Sequence, residues 1–199
     1  MKKKLILLVI SIFLVIWHQL SRAGGEFQLP IFTPSDLRST LVHPSLVGKT
    51  THEIPDFSFI NQNGETITQE SVKNKIYVAN FFFTSCPSIC IDLTKNLKLV
   101  QDAFDVNDVL ILSHSVDPEI DSIERLKKYE EINDINGNNW FFLRGDINEV
   151  IKMAQLGYFA IASVDNHIDN SLIHTENIVL IDTESRIRGV YNGTSQLEM

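Results

Sequence analysis

The residues of this chain best suited to chemistry are its only two cysteines, Cys86 and Cys90, four positions apart. They follow the apolar run at 76–83 and precede a helical pattern, so they lie at a predicted turn from strand to helix. Side chains four apart on a helix share a face, with about 5 to 6 Å between Cβ atoms. The free N–H groups of a helix N-terminus favour thiolate over thiol. The spacing predicts two thiolates that bind one metal ion or, after a small shift, form a reversible disulfide.

The donor types indicate which metal such a site would take. Two thiolates form a soft pair that suits Cu(I), and an added imidazole gives a trigonal site usable by Cu(I) or Cu(II). Zinc fits less well, because a structural zinc site needs four ligands. His174 is the candidate third ligand, because it directly precedes a predicted strand whose near end would lie beside the cysteine-bearing helix. A histidine on a surface loop is the alternative interpretation of His174.

The other histidines have simpler interpretations. His114 lies inside a predicted strand, where a hydrogen-bonded core residue is the favoured interpretation. The remaining four lie in the export segment, in or beside the linker, and in a polar loop: His18, His43, His52 and His167.

One acidic residue lies at the same predicted sheet edge as the cysteines. Asp117 ends the predicted strand at 109–116 and is followed by Pro118. The pair is explained by a turn that leads into a helix. The alternative is that the Asp117 carboxylate hydrogen bonds to a metal ligand and orients it.

Alternating apolar and amphipathic segments predict the elements that position these residues. Strands are predicted at 76–83, 109–116 and 140–143, each followed by a helical pattern. An N-terminal hairpin turns at Asn63-Gly64. A closing antiparallel hairpin pairs two further predicted strands, 177–181 and 187–191. This order predicts an α/β fold, thioredoxin-like with an added N-terminal β-hairpin.

Each predicted helix has its own apolar stripe. The stripe of the first consists of Ile89, Leu93, Leu97, Val100 and Phe104. The second helix begins at Asp121 and Glu124, which have capping-box spacing. Its inward residues are predicted to be Ile123, Leu126, Tyr129 and Ile132. The third helix is predicted over 146–156.

The N-terminus predicts export of the chain. Three lysines at positions 2–4 precede an apolar run at 5–17, a single hydrophobic helix about 20 Å long. Residues 1–23 are therefore interpreted as an export signal or a membrane anchor, with the lysines inside and the rest of the chain exported to the periplasmic side. Residues 24–50 are predicted to form an extended linker, and residues 51–199 the domain.

Composition bounds the size and the partners of that domain. The chain has 199 residues, which suits one sizeable core. Its formal net charge is -8, and four of the 17 basic residues, but none of the 25 acidic ones, fall in the first 23 positions. Because so acidic a domain repels phosphate backbones, nucleic-acid binding is excluded.

Four segments of the chain resemble the Sco/SenC family of copper-delivery proteins. They are NFFFTSCPSIC, SHSVDPEIDSIERLKKY, WFFLRGD and IHTENIVLIDTESRIRGVYNG, which lie between residues 80 and 193, and the resemblance as a whole covers roughly residues 53–193. The cysteine motif, the later DP pair and the late histidine form a specific combination. The chain differs from the family pattern at Ile91, where proline usually follows the second cysteine.

The resemblance implies a membrane-tethered thioredoxin-like domain that binds one copper ion. The family's ligands fall on Cys86, Cys90 and His174, and its aspartate near the metal falls on Asp117. The resemblance implies delivery of copper to the dinuclear copper site of cytochrome c oxidase, or reduction of the cysteines of that site. It also favours a retained N-terminal anchor.

Two functions follow as hypotheses. The first is a copper chaperone without turnover of its own, whose partner is the copper-site subunit of cytochrome c oxidase or another copper protein. The second is a membrane-tethered thiol-disulfide oxidoreductase, in which Cys86 or Cys90 attacks a disulfide of a partner. His174 discriminates between them, because an oxidoreductase has no need of it.

Overall fold

The computed structural model describes residues 29–37, 42–160 and 175–197. The predicted hydrophobic helix within residues 1–23 and the polar loop that contains His167 lie outside them. Among the residues described, none of the helices has the length and apolar character needed to cross a bilayer.

The described residues form a five-stranded mixed sheet with the order β5-β4-β3-β6-β7. The strands are β3 (Ile76–Phe82), β4 (Val109–Ser115), β5 (Trp140–Leu143), β6 (Asn177–Ile181) and β7 (Ile187–Asn192). Strand β3 runs parallel to β4 and antiparallel to β6, while β5 extends the parallel half and β7 the antiparallel half. Because β3 is central, almost all of it is buried, as its continuous apolar sequence predicts.

A small hairpin precedes the sheet, as its sequence predicts. It pairs β1 (Ser58–Ile60) with β2 (Thr66–Thr68). The turn depends on Gly64, whose φ of +80° is accessible to glycine, while the Asn61 side chain accepts hydrogen bonds from two backbone amides of the turn. Ile60 and Arg144 exchange two backbone hydrogen bonds of 2.9 Å, which attach the hairpin to the residue after β5.

Three helices pack on the sheet in the described part of the chain: α1 (Ile89–Ala103), α2 (Ile123–Ile132) and α3 (Ile147–Lys152). A single wider helical turn, Met153–Gly157, continues α3. Helix α1 ends at Ala103, so Phe104 adopts an extended conformation and is exposed, contrary to the prediction that it faces inward.

The start of α2 also differs from its prediction. Ser122, not Asp121, caps the helix, and its hydroxyl accepts a hydrogen bond from the Arg125 amide. Asp121 points into the protein instead and is fully buried. Ile132, at the last position of α2, is 72% exposed, so its predicted inward position is wrong.

The sheet separates two apolar layers. On one face, α1 and α2 cover a cluster that includes Leu93, Leu126 and both cysteines. On the other face, the hairpin and α3 cover a larger cluster that includes Phe59, Phe81 and Tyr158. The described layers and strand order match the predicted α/β thioredoxin-like fold.

The described part of the predicted linker packs on the domain. Phe32 donates a backbone hydrogen bond to Ile187 in β7. Arg188 donates to the carbonyls of Leu29 and Pro30 and forms an ion pair with Asp182. This attachment lies at the end of the sheet where β3 begins, opposite the end where β3 leads toward the cysteines.

Candidate metal centre

Cys86 lies in the short connection between β3 and α1. Its amide donates to the Phe83 carbonyl at 3.2 Å, which closes a tight turn directly after the strand. At the start of α1, Ile91 donates to the Ser88 carbonyl at 3.1 Å. A proline at position 91 lacks this donor, so this helix start differs from the one that the usual family sequence would form.

The sulfur of Cys86 receives the hydrogen bonds available at the N-terminus of α1. Burial acts to raise the pKa of its thiol, but donation from the Cys90 side chain and from the Ser88 and Cys90 amides outweighs burial and leaves the pKa below its ordinary value. The Ser88 hydroxyl also contacts this sulfur, at 3.8 Å. Cys86 is thus the thiol that the helix N-terminus favours as a thiolate.

Cys90 has the opposite character. Its side chain, in the first turn of α1, is only 1% exposed, against 8% for Cys86. Burial, its hydrogen bond to Cys86 and the charges of Cys86 and Asp121 raise the pKa of Cys90 to about 12, against donation from the Phe83 amide. Both cysteines are free, so the structure contains a reduced pair in which the Cys90 thiol donates to Cys86.

Within the described ranges, no group of three or more histidine, cysteine, aspartate or glutamate side chains converges on one point. His174, the predicted third ligand, lies outside those ranges. Its neighbour Thr175 precedes β6, which runs antiparallel to β3 with Val179 opposite Ala79. Continued along both strands, this register leads the chain before β6 toward the end of β3 that precedes Cys86.

Two aspartates follow β4 and have different surroundings. Asp117 is half-buried, and its backbone carbonyl accepts hydrogen bonds from the amides of Ile120 and Asp121, while its carboxylate accepts none from the described residues. Its role beside a metal ligand therefore stays a prediction. Asp121 is the fully buried carboxylate that interacts with Cys90, whereas its sequence position indicated only helix capping. The hydroxyl residues Thr84 and Ser115, which donate hydrogen bonds to it, were the available sign of a buried acidic group.

His114 is buried as predicted, but neither of its ring nitrogens has a hydrogen-bond partner among the described residues. The ring packs among Phe59, Phe81 and Tyr158, at centroid distances of 5.2, 5.3 and 5.5 Å. These rings belong to the layer on the side of the sheet away from the cysteines, so His114 has no place in the metal centre.

The chemistry of the described donors fits a soft metal ion. The two cysteines interact within one apolar layer, and the helix N-terminus favours Cys86 as a thiolate. The same arrangement fits thiol-disulfide exchange, since a thiolate lies beside a second, protonated thiol.

Comparison with known sequences identifies relatives of this chain. The family profile described as SCO1/SenC matches residues 47–199. The SCO1 protein homolog of Bacillus subtilis (strain 168) is 31% identical over 144 residues, which cover 71% of this chain and 75% of that protein.

Solved structures share the fold. One is BsSco, a member of the Sco family of cytochrome c oxidase assembly proteins in which a disulfide switch was identified. It is 30% identical with a TM-score of 0.59, over 74% of this chain and 87% of its own. Another is Arabidopsis thaliana ScoI with copper bound, at 23% identity and a TM-score of 0.57, over 71% of this chain and 88% of its own, a likeness of fold alone. Because the family profile covers most of its length, this chain belongs to the SCO1/SenC family.

Proposed function

We propose that this protein is a copper chaperone, which binds one copper ion and delivers it to the dinuclear copper site of cytochrome c oxidase during assembly. The observation that carries the proposal is the position of Cys86 and Cys90, which lie together in one apolar layer at the N-terminus of α1. The copper ion is the cargo of the protein. Cys86, Cys90 and His174 are its proposed ligands.

The thiol pair supplies the affinity for copper. Soft thiolates prefer Cu(I), and an imidazole as third ligand makes the site usable by Cu(II) as well. Binding requires Cys90 to release a proton, since a metal ligand must be a thiolate. A bound cation offsets the charge repulsion that otherwise favours the protonated Cys90 thiol.

The third ligand is proposed from the strand register. His174 adjoins Thr175, and consecutive Cα atoms are about 3.8 Å apart. The chain before β6 is directed toward the connection that carries Cys86. An imidazole there completes a three-coordinate site, which leaves room for a ligand of the receiving protein, so copper transfers by ligand exchange without a change of oxidation state.

Relatives support the identity of the cargo and of the receiver. The Arabidopsis structure contains copper on the same fold, and BsSco is described as a member of a family of cytochrome c oxidase assembly proteins. These descriptions concern those proteins and become part of the proposal for this chain. The receiving protein is the subunit that holds the dinuclear copper site.

The proposal includes a location at the cell membrane. Residues 1–23 act as a single N-terminal anchor, residues 24–50 link it to the domain, and residues 51–199 lie on the exported, periplasmic side. The lysines at 2–4 before the apolar run at 5–17 support this orientation. Fractionation of cells that express the full chain tests it: the protein should sediment with membranes, and recovery in the cytoplasmic fraction contradicts the location.

A second function is supported by the difference between the two thiols. In thiol-disulfide exchange, the Cys86 thiolate attacks a disulfide of a partner and forms a mixed disulfide, releasing one partner thiolate. Cys90 then loses its proton and attacks Cys86. The products are a Cys86–Cys90 disulfide and a partner with two reduced thiols, so the two electrons come from this protein.

An anaerobic titration with Cu(I) tests the chaperone function. Wild type should bind one equivalent, and Cys86→Ser, Cys90→Ser and His174→Ala should each bind much more weakly. His167→Ala, a histidine of the same segment, serves as the matched control and should bind like wild type. If His174→Ala binds like wild type while reduction of a model disulfide needs both cysteines, the oxidoreductase function replaces the chaperone function.

A further inference from the structure

The buried carboxylate of Asp121 connects three segments around the cysteines. Its oxygens accept hydrogen bonds from the Thr84 hydroxyl at 2.5 Å, the Thr84 amide at 3.2 Å and the Ser115 hydroxyl at 2.6 Å. Thr84 lies two residues before Cys86, Ser115 ends β4, and Asp121 itself lies just before α2. One fully buried side chain therefore joins the cysteine connection to the ends of β4 and α2.

Burying a carboxylate is costly unless its oxygens are hydrogen bonded. Here both oxygens have donors, and the Arg125 guanidinium lies 3.9 Å from one of them. Arg125 also donates to the Thr84 hydroxyl at 2.6 Å, so this hydroxyl accepts from outside and donates to the carboxylate inside. Thr84 is held from both sides.

The turn that carries Asp121 is fixed as well. Arg144, the residue after β5, donates to the backbone carbonyls of Asp121 and Pro118 at 2.8 and 2.9 Å. Asp121, which holds Thr84, is thus itself attached to the end of β5 through Arg144. By contrast, no side chain or amide of residues 29–37, 42–160 or 175–197 donates a hydrogen bond to the carboxylate of Asp117 in the same turn.

We propose that Asp121 is a positioning residue that, through Thr84, sets the Cys86 sulfur against the amides of Ser88 and Cys90. This inference deepens the proposed function. Its test by copper affinity rests on that function, whereas its test by the reactivity of the Cys86 thiol does not. Without the hydrogen bond between Thr84 and Asp121, the connection before Cys86 becomes more mobile, and the Cys86 sulfur is less well aligned with its hydrogen-bond donors. Cys86 then becomes a weaker copper ligand and a slower nucleophile.

Thr84→Val tests this role, because valine keeps the shape of threonine and removes the hydroxyl. The first readout is the rate at which iodoacetamide alkylates Cys86 in the Cys90→Ala background. The second is Cu(I) affinity in competition with bathocuproine disulfonate, measured with both cysteines present. We expect both to fall about tenfold, the order set by the loss of one or two buried hydrogen bonds. Thr84→Ser, which keeps the hydroxyl, should restore both to within about threefold of the parent, the equivalent of less than 1 kcal/mol.

A double-mutant cycle shows whether Thr84 acts through Asp121. In an Asp121→Asn background, Thr84→Val should change the alkylation rate of Cys86 by less than about twofold, since the carboxylate through which Thr84 acts is already removed. Asp105→Asn, at an exposed carboxylate just after α1, is the matched control and should match the parent in both readouts. Thermal melts confirm that each variant is folded, and Thr84→Ala replaces Thr84→Val if the valine variant does not fold.

Two results separate this inference from the proposed function. If folded Thr84→Val keeps both readouts within twofold of its parent, the positioning role is overturned. If wild type binds no Cu(I) but Thr84→Val still slows alkylation of Cys86 and Thr84→Ser restores it, the chaperone function fails and the positioning role stands.

Discussion

The buried imidazole of His114 should make the stability of this protein fall in acid. In the described part of the chain the ring has no hydrogen-bond partner, and it packs among aromatic side chains. Burial lowers the pKa of His114 to about 3, from 6.5. The folded protein therefore keeps this ring neutral under conditions in which the unfolded chain is protonated.

The sign of the effect follows from proton linkage. Between pH 6.5 and about 3, the unfolded state binds more protons at position 114 than the folded state does. The stability contributed by His114 is thus fully present above pH 6.5 and is lost progressively as the pH falls through this window. Two pH units below 6.5, at pH 4.5, the loss is about 2.5 kcal/mol, from roughly 1.36 kcal/mol per unit.

Urea denaturation of wild type and His114→Leu at pH 7 and pH 4.5 measures this loss. Leucine has a similar volume and no titrating group, so the variant should lose about 2.5 kcal/mol less free energy of unfolding than wild type over this interval. Other groups titrate in both proteins and cancel in the difference. If the two proteins lose the same free energy of unfolding between pH 7 and pH 4.5, within about 0.5 kcal/mol, the burial of His114 does not make stability depend on pH.

Three further predictions concern the thiols, the N-terminal attachment and the packing beneath α1. At pH 7, limited iodoacetamide should label Cys86 before Cys90, as read by peptide mass spectrometry, because Cys86 has the lower pKa and the greater exposure; preferential labelling of Cys90 would contradict this. Arg188→Ala should speed proteolysis within residues 29–37 with little change in melting temperature, because it removes the hydrogen bonds that hold Leu29 and Pro30. An unchanged cleavage rate would show that these hydrogen bonds are dispensable for the attachment. Gly193→Ala should lower the free energy of unfolding by roughly 1–3 kcal/mol in urea, because its Cβ would overlap the side chains of Leu93 and Ile178, and an unchanged midpoint would show that the site adapts.

Sequence reasoning predicted the strands well for a physical reason. Strand β3 is covered on both faces, so its run of apolar residues has one interpretation, and β5 and β6 begin and end where they were predicted. Helix ends were less predictable, because they depend on which tertiary contacts continue. Phe104 and Ile132 fit an apolar stripe, but both lie at the C-terminal end of a helix and are exposed.

The candidate site was predictable in its donors but not in their differences. The spacing of Cys86 and Cys90 predicted that both lie at a helix N-terminus, where the structure places them. It did not predict that Cys86 receives most of the donors while burial keeps Cys90 protonated, because that depends on the turn before α1. The capping-box spacing drew attention away from Asp121, whose buried position depends on Thr84 and Ser115 from distant segments.

X-ray absorption at the copper edge of the one-to-one Cu(I) complex identifies the atoms that bind copper. We expect two sulfur scatterers and one nitrogen scatterer around a single copper ion in wild type. In His174→Ala the nitrogen should be lost and both sulfurs kept. A wild-type spectrum with fewer than two sulfurs, or a nitrogen that persists in His174→Ala, would contradict the proposed ligand set.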